Sequence, residues 1–513
     1  MTSCSIEPPD ATLPSASYQL SRRIFLRLLG LTYLLAFSSL ATQIIGLVGT
    51  EGILPIGDHL NRAQELYGID AVRRYPTLLW ISSRDRTLIA LSWGGVLFSG
   101  ALMCGLAPRV MLILLWLSYL SLAVAGQTFL AFQWDALLLE TGLLACFYAP
   151  RGSRPTLATE QLPARIGRWL LWWLLFRLMF LSGITKLASG DPAWANLTAL
   201  SYHYQTQPLP LWTGWYVHQF PVWLHQVSAA LMFIIELLFP FAIFLPARWQ
   251  RTRLAGCVGL VLLQVAIGVT GNYGFFSILS VVLCLTLVDD HSWRQLLPAR
   301  LCDFFPENAP SQAPHGWPVA VTVLGATALI ALSSVTFIRE ISRTLDSSGR
   351  PLVDLTWSDP VVEMIQPFRS INGYGLFRVM TTERPEIVIE GSHDGMHWTE
   401  WEFRWKPGDP MRRPRLAAPH QPRLDWQLWF AALDPRGDRY WLLPLMRQLL
   451  AGAPAVTSLM DESPFDDTPP RYLRLAYYDY QFTTPEERAE TGTWWRRVFF
   501  DYLTEPVSLN DLR

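Results

Sequence analysis

The sequence predicts a polytopic α-helical membrane bundle of about nine spans, followed by a mainly antiparallel β outer domain with helical insertions. Three observations lead there. Apolar residues make up 51% of the 513 residues and charged residues only 16%, against about 25% charged in soluble domains. Membrane-length apolar runs recur up to about residue 338 and then stop. Beyond that point short stretches alternate apolar and polar residues between turn signals, the period of half-buried strands. The implied division is a cytoplasmic tail (1–22), a transmembrane domain (23–338) with outer loops at 50–86 and 188–221, and a soluble periplasmic or lumenal domain (339–513).

A helix needs about 20 apolar residues to cross the hydrocarbon core. Candidate runs are Phe25–Val48, Leu88–Leu106, Val110–Ala125, Phe129–Tyr148, Trp169–Leu187, Val222–Leu245, Leu254–Val269, Phe275–Val288 and Pro318–Phe337. Phe275–Val288 is short and Phe129–Tyr148 carries charges, so each fits a span or a re-entrant segment. Arginine placement orients the set. Arg22, Arg23 and Arg27 precede or open the first run, Arg109 follows the second, Arg151, Arg154, Arg165 and Arg168 follow the fourth, and Arg248, Arg251 and Arg253 follow the sixth. With nine spans these share the cytoplasmic side, and the C-terminal domain lies outside. The loop from Ala188 to Pro221 has no lysine or arginine, whereas the first outer loop carries Arg62, Arg73, Arg74, Arg84 and Arg86 among acidic residues, as an interfacial helix would. Ser21 to Arg27, SRRIFLR, resembles a twin-arginine export signal. No clear small-residue cleavage site follows, so it reads as the basic anchor of an uncleaved helix.

Net charge is −1 and the arginines are scattered, which argues against nucleic acid as a partner. The six cysteines, Cys4, Cys104, Cys146, Cys257, Cys284 and Cys302, show no metal spacing and read as buried, inert thiols. No metal site is expected.

Charges inside the apolar runs are the candidate functional residues, because an unpaired ion there costs several kcal/mol. At about 1.5 Å per residue, Asp135 falls near the outer surface with Glu140 about 7 Å deeper, Arg177 and Glu236 fall near mid-depth, and Lys186 at the outer edge. Two layers follow: Asp135, Lys186 and Asp191 outside, and Glu140, Arg177 and Glu236 at the centre, the inner layer read as mainly structural. Lys186 is one of only two lysines, the other being Lys406. It reads either as a catalytic group assisted by His203 or His218, or as an interfacial lysine that snorkels to the headgroups. The loop from Gly190 to Pro221, rich in Trp, Tyr, His and Pro, reads as a cap on the outer mouth or as an aromatic belt. Gly271 to Phe276, GNYGFF, reads as a tight outer turn.

In the outer domain Glu386–Glu390 and Trp398–Trp405 read as strands joined through Ser392-His393-Asp394-Gly395. Arg474–Phe482 reads as a further strand and Leu443–Ala451 as a short amphipathic helix, together an antiparallel sandwich with helical insertions. Its tryptophans Trp398, Trp401, Trp426 and Trp429 are candidates for client binding. No G-x-S-x-G elbow occurs, and His393 and His420 read as loop histidines.

Four stretches carry a resemblance: FQWDALLLETG (Phe132–Gly142), SGDPAWANLTALSYHYQTQPLP (Ser189–Pro210), YGLFRVMTTERPEIVIEGSHDG (Tyr374–Gly395) and KPGDPMRRPRLAAPHQPRLDWQLWFAAL (Lys406–Leu433). By these the chain resembles the lipase maturation factor family over most of its length. The resemblance implies a polytopic membrane protein with a lumenal C-terminal domain, in animals a factor that helps secreted dimeric lipases fold and assemble. The SRRIFLR start and the lack of sequons and cysteines in the outer domain favour a bacterial member. The segment Gly183–Trp194, G-I-T-K-L followed by Trp, is also similar to vitamin K-dependent gamma-carboxylases and DoxX-like membrane proteins, which implies Lys186 as a base acting on a quinone cofactor. Two functions follow. One is a non-enzymatic membrane factor, with no cofactor expected, that grips an exported client. The other is a quinone-dependent membrane enzyme.

Overall fold

The computed structural model describes residues 17–155, 165–296, 319–345, 353–434, 437, 440–461, 463–465 and 468–512; Cys4, Cys302 and most of the expected N-terminal tail lie outside them. The principal helices of the first part are α1 (Gln19–Ala41), α2 (Asp85–Met103), α3 (Pro108–Ala125), α4 (Gln133–Tyr148), α5 (Arg165–Leu187), α6 (Val222–Leu237), α7 (Gln250–Thr270), α8 (Phe276–Cys284), α9 (Asp290–Leu296) and α10 (Val319–Leu345). Among the described residues, seven helices are long and apolar enough to cross a membrane, α6 counting with the 3-10 turn that extends it to Phe244.

The two ambiguous runs are the two that fall short of a straight span. The run ending at Val288 continues to Leu287 and then bends by 113° into α9. Acidic residues set the bend. Asp289 accepts the Ser292 N–H (2.8 Å) and so caps α9, while both oxygens of Asp290 accept the Gln19 and Leu20 N–H groups (2.9 Å each) at the start of α1. A carboxylate is favoured at a helix N-terminus, where the dipole is positive and the first amides lack partners. The charged run forms α4, only 16 residues long and buried along most of its length. It lies between α3 and α5 within the bundle. The first run breaks at Thr42 and Gln43 and resumes as a short helix, Ile44–Val48. In the first outer loop a helix spans Ile56–Tyr67, and its apolar positions Ile56, Leu60 and Ala63 are buried within the protein. Cys257 and Cys284 are buried as expected, but Cys104 is exposed at the end of α2.

The C-terminal part holds one antiparallel sheet, order β2-β1-β3-β4, made of β1 (Pro385–Ser392), β2 (Thr399–Trp401), β3 (Tyr472–Phe482) and β4 (Trp495–Tyr502). A second sheet, needed for the expected sandwich, does not occur among the described residues. Helix α11 (Arg423–Leu433) packs on β1 and α12 (Leu442–Leu450) on β3 in its place. The β1–β2 turn forms as its sequence suggests: Asp394 accepts the Met396 and His397 N–H groups (2.8 Å each), and Gly395 takes φ +77°. The expected strand Trp398–Trp405 is cut short at Trp401. Beyond it the chain leaves the sheet, and the Asp425 carboxylate accepts the Trp405 and Lys406 N–H groups (3.0 Å each).

The largest departure from expectation concerns the boundary between the two parts. The segment after α10 does not lead into a free domain. Residues 369–384 run back across the bundle: Arg369 donates to Leu130 O (2.9 Å), Ser370 accepts from Trp116 Nε1 (2.8 Å), and Trp194 Nε1 donates to Phe377 O (3.0 Å). The break after α1 is gripped from the C-terminal side, where Gln43 donates to Gln421 O (3.0 Å) and accepts the Arg423 N–H (2.8 Å). In the GNYGFF turn, Asn272 donates to Arg415 O (2.9 Å) and accepts the Ala417 N–H (2.8 Å). Buried backbone groups of each part thus find their partners in the other, and a buried amide or carbonyl left without one costs about 1–3 kcal/mol. The fragment 339–513 expressed alone is therefore expected to be aggregated or protease-sensitive, where the full chain in detergent resists digestion across residues 369–384. A soluble fragment with a cooperative melt would contradict this.

Candidate functional site

The side chains singled out by their charge meet where the C-terminal part enters the bundle, but in a different grouping from the two expected layers. Glu140 and Arg177 do pair, both about 1% exposed. Glu236 is not with them. It faces Lys186, whose Nζ lies 3.0 and 2.8 Å from its two oxygens. Asp135 is bound by Arg423 of α11 through both oxygens (2.5 and 2.8 Å), and Tyr119 OH donates to it as well (2.6 Å). Asp191 is a cap: it accepts the Ala193 N–H (2.8 Å) at the start of the short helix Pro192–Ala195, and also the Met380 N–H. The two layers do not form because Lys186 reaches Glu236 and because partners from outside the bundle take up the other carboxylates. The C-terminal part supplies Arg423 to Asp135, and it also reaches Glu140, which accepts from Tyr374 OH (2.7 Å) and from the Asn372 side chain (3.1 Å).

A further buried cluster went unpredicted. Arg384 and Lys406 both contact Glu386 (2.7 and 3.0 Å), and all three are almost fully buried. Arg384 also donates to the carbonyls of Gln205 (2.8 Å) and Pro208 (2.9 Å), fastening the outer loop to the sheet. The available signal was a glutamate flanked by apolar residues in EIVIE, together with the second of two lysines. Both lysines of the chain thus sit in buried pairs with a glutamate. Lys186 lies beside the Trp194 ring (5.7 Å) and directs its amine at both Glu236 oxygens. Lys186 is thus the hydrogen-bonding partner of a buried carboxylate.

The histidines named with Lys186 take separate partners. His203 bonds to Tyr273 OH (3.0 Å) and packs on Phe377, whereas His218 packs on Phe482. Three of the four client-binding tryptophans are corrected by burial. Trp401 packs on Phe465 beneath the sheet, Trp426 on Phe132 and Trp134 of the bundle, and Trp429 donates to Thr206 O (2.9 Å). Trp426 and Trp429 fill the seam between the two parts, while Trp401 is buried within the C-terminal part. Only Trp398 stays partly exposed; the Arg474 guanidinium lies 4.1 Å from its ring and 4.2 Å from that of Tyr502.

These contacts generate two predictions. Breaking one partner of a buried ion pair strands the other charge and costs about 3–5 kcal/mol, while replacing both with apolar residues is near neutral. Lys186→Met or Glu236→Leu alone is expected to lower the melting temperature of the purified chain sharply, and the double variant to recover most of the loss. Equal damage in the double would show that the pair is not the reason these residues are there.

The second prediction concerns pH. Burial pushes His203, His218 and His420 each down to about 4, with Lys186 adding to the effect on His203, His225 on His218, and Arg423 and Arg404 on His420. Unfolded, each takes up a proton near pH 6.5. Between about pH 6.5 and 4 the unfolded chain therefore binds more protons than the folded one, and their contribution to stability is lost as pH falls through that window. Asp425, its carboxyl pushed up to about 6 by burial, works in the opposite sense at the lower end. The chain is expected to melt lower at pH 5 than at pH 7.5, with His420→Gln flattening the difference; a melting temperature that rises on acidification would refute it.

Comparison with known proteins places these contacts in a family. The model of the lipase maturation factor transmembrane domain matches residues 20–295, and that of the lipase maturation factor C-terminal domain matches residues 370–504. Lipase maturation factor 2 of Homo sapiens is 36% identical, the match covering 97% of this chain and 84% of the relative. For lipase maturation factor 2 of Gallus gallus the identity is 35%, over 96% of this chain and 82% of the relative. Lipase maturation factor 1 of Mus musculus is 32% identical, over 99% and 91%. No solved structure matches. With both halves matched and nearly the whole length covered, this integral membrane protein belongs to the lipase maturation factor family.

Proposed function

We propose that the chain is a membrane-anchored maturation factor for an exported lipase and that it acts by holding its client, without catalysing a reaction. In this reading the N-terminus is cytoplasmic and the C-terminal part stands in the periplasm or the lumen of the endoplasmic reticulum. The arginine placement supports that orientation: Arg22, Arg23, Arg27, Arg109, Arg151 and Arg154 gather at the ends of the spans away from the sheet.

The observation that carries the client-holding reading is β4. It is an edge strand, so the backbone groups on its far side are not used by the sheet. Val498, Phe499, Phe500 and Tyr502 are 44–65% exposed along it. Soluble proteins blunt such edges because they pair with other chains. Here the edge is aromatic, and the Trp398–Arg474–Tyr502 stack continues it across the sheet. A partly folded lipase offers extended segments and uncovered apolar side chains, which fit strand addition to an edge of this kind.

The test co-expresses the full chain with a secreted lipase and measures active lipase released. A Val498→Glu/Phe500→Glu variant is expected to cut the yield several-fold with the abundance and melting of the chain unchanged, since exposed substitutions usually stay within about 0.5 kcal/mol. Undiminished yield would remove β4 from the function. In the same assay the Lys186→Met/Glu236→Leu variant is expected to keep its activity. Loss of activity in a folded double variant would return the quinone-dependent enzyme, with Lys186 as base.

A further inference from the structure

At the end of the bundle away from the sheet, a recess of about 290 Å³ opens between the start of α1, the end of α2, the start of α3 and the link after α4. Its wall has two kinds of residue. Leu26, Leu102, Leu106 and Pro108 are apolar; Arg23, Arg27 and Arg154 are cationic, and among the described residues no carboxylate lines it. The link that closes one side is held by backbone carbonyls: Arg23 donates to Pro155 O (3.2 Å) and Arg109 to Ala149 O (2.9 Å). These contacts fix Arg23 and Arg109 against the link. Helix α3 starts at the rim with Pro108 at its first position and no side-chain cap, so the positive end of its dipole adds to the same field. Arg27 and Arg154 are exposed, and of the apolar residues Leu102 lies in the last turn of α2, Pro108 in the first turn of α3 and Leu106 on the link between them.

We infer that this recess binds an anionic phospholipid, the phosphate held by Arg27, Arg154 and the α3 N-terminus and the start of the acyl chains lying on Leu102 and Leu106. Positive charge alone would attract any phosphate. The apolar half of the wall, at the level where span ends meet headgroups, is what selects a lipid over a free anion, and basic recesses between spans are suited to such headgroups. The assignment is independent of the client and of β4.

The test uses the full chain purified in a neutral detergent, with phosphatidylglycerol, phosphatidylcholine or inorganic phosphate added, read by native mass spectrometry and by melting temperature. Phosphatidylglycerol is expected to bind saturably and to raise the melting temperature, with phosphatidylcholine and inorganic phosphate binding at least about tenfold more weakly. An Arg27→Gln/Arg154→Gln variant is expected to lose about tenfold in affinity for phosphatidylglycerol. An Arg248→Gln/Arg251→Gln variant removes the same charge from exposed positions outside the recess and is expected to bind as the parent does. Equal loss in the two variants would reduce the effect to a diffuse surface charge, and inorganic phosphate binding as tightly as the lipid would make this a soluble-anion site; either overturns the assignment.

Discussion

A carboxylate buried among apolar helices is tolerable only with a cation against it, and the cation for Asp135 comes from the other half of the chain. Arg423 fits both oxygens of Asp135 at once, with Tyr119 completing the shell. A planar guanidinium gives directional, two-point contact where an ammonium gives a point charge. The docking of α11 on α4 is thereby fixed in register as well as in energy. Most of what distinguishes this structure from a bundle with a tethered domain depends on that constraint. Bundle and sheet share buried charges, so neither half is complete without the other.

Glu140 extends the argument toward the centre of the bundle. Its partner Arg177 lies on a neighbouring span, but the remaining acceptor capacity is taken by Asn372 and Tyr374, residues that follow the last span. The chain has crossed and returned before these bonds can form. Arg384 repeats the pattern on the other side of the seam, its guanidinium split between Glu386 and loop carbonyls. The outer loop, the bundle and the sheet are thus held as one body. A rigid platform of this kind suits a protein that presents a fixed edge strand to something else, because little ordering cost then falls on the presenting side.

How much of this the sequence discloses depends on the range of the interaction. Hydrophobic length is local, and the middle spans follow from it to within about four residues, whereas the first helix starts at Gln19 and stops at Ala41 and the last runs on to Leu345; the Ser392–Gly395 turn and β3 are equally local. Asp135, Glu140, Arg177, Lys186 and Glu236 stand out because each is a charge inside an apolar run. Their pairing is not local. Lys186 and Glu236 are 50 residues apart and Asp135 and Arg423 are 288 apart, and counting depth along ideal helices cannot choose among partners at such separations. Trp426 and Trp429 read as binding residues for a related reason: an aromatic-rich domain looks sticky until the surface it covers is in view, whereas Trp401 is buried against Phe465 of its own part. Trp398–Trp405 read as one strand because its alternation is real, but the chain leaves the sheet after Trp401, and Asp425, twenty residues on from Trp405, accepts the Trp405 and Lys406 amides.

The two lysines show how far composition can be pressed. A chain that uses arginine almost everywhere else places lysine only at 186 and 406, and rarity of that kind invites a catalytic reading. The geometry gives a different reason. Lys186 and Lys406 each meet a glutamate in a confined, nearly solvent-free position, and each has an aromatic ring within 5.3–5.7 Å. A guanidinium needs room for five donors in a plane and acceptors to match them. Arg384 has acceptors for its two terminal nitrogens, Glu386 and the loop carbonyls, and only its Nε is without one among the described residues; the space between Glu236 and the Trp194 ring offers one carboxylate and one π-face. A compact ammonium satisfies both and leaves no buried donor facing an apolar wall, whereas arginine in that place would. The choice of cation at each site follows from the acceptors the fold leaves there.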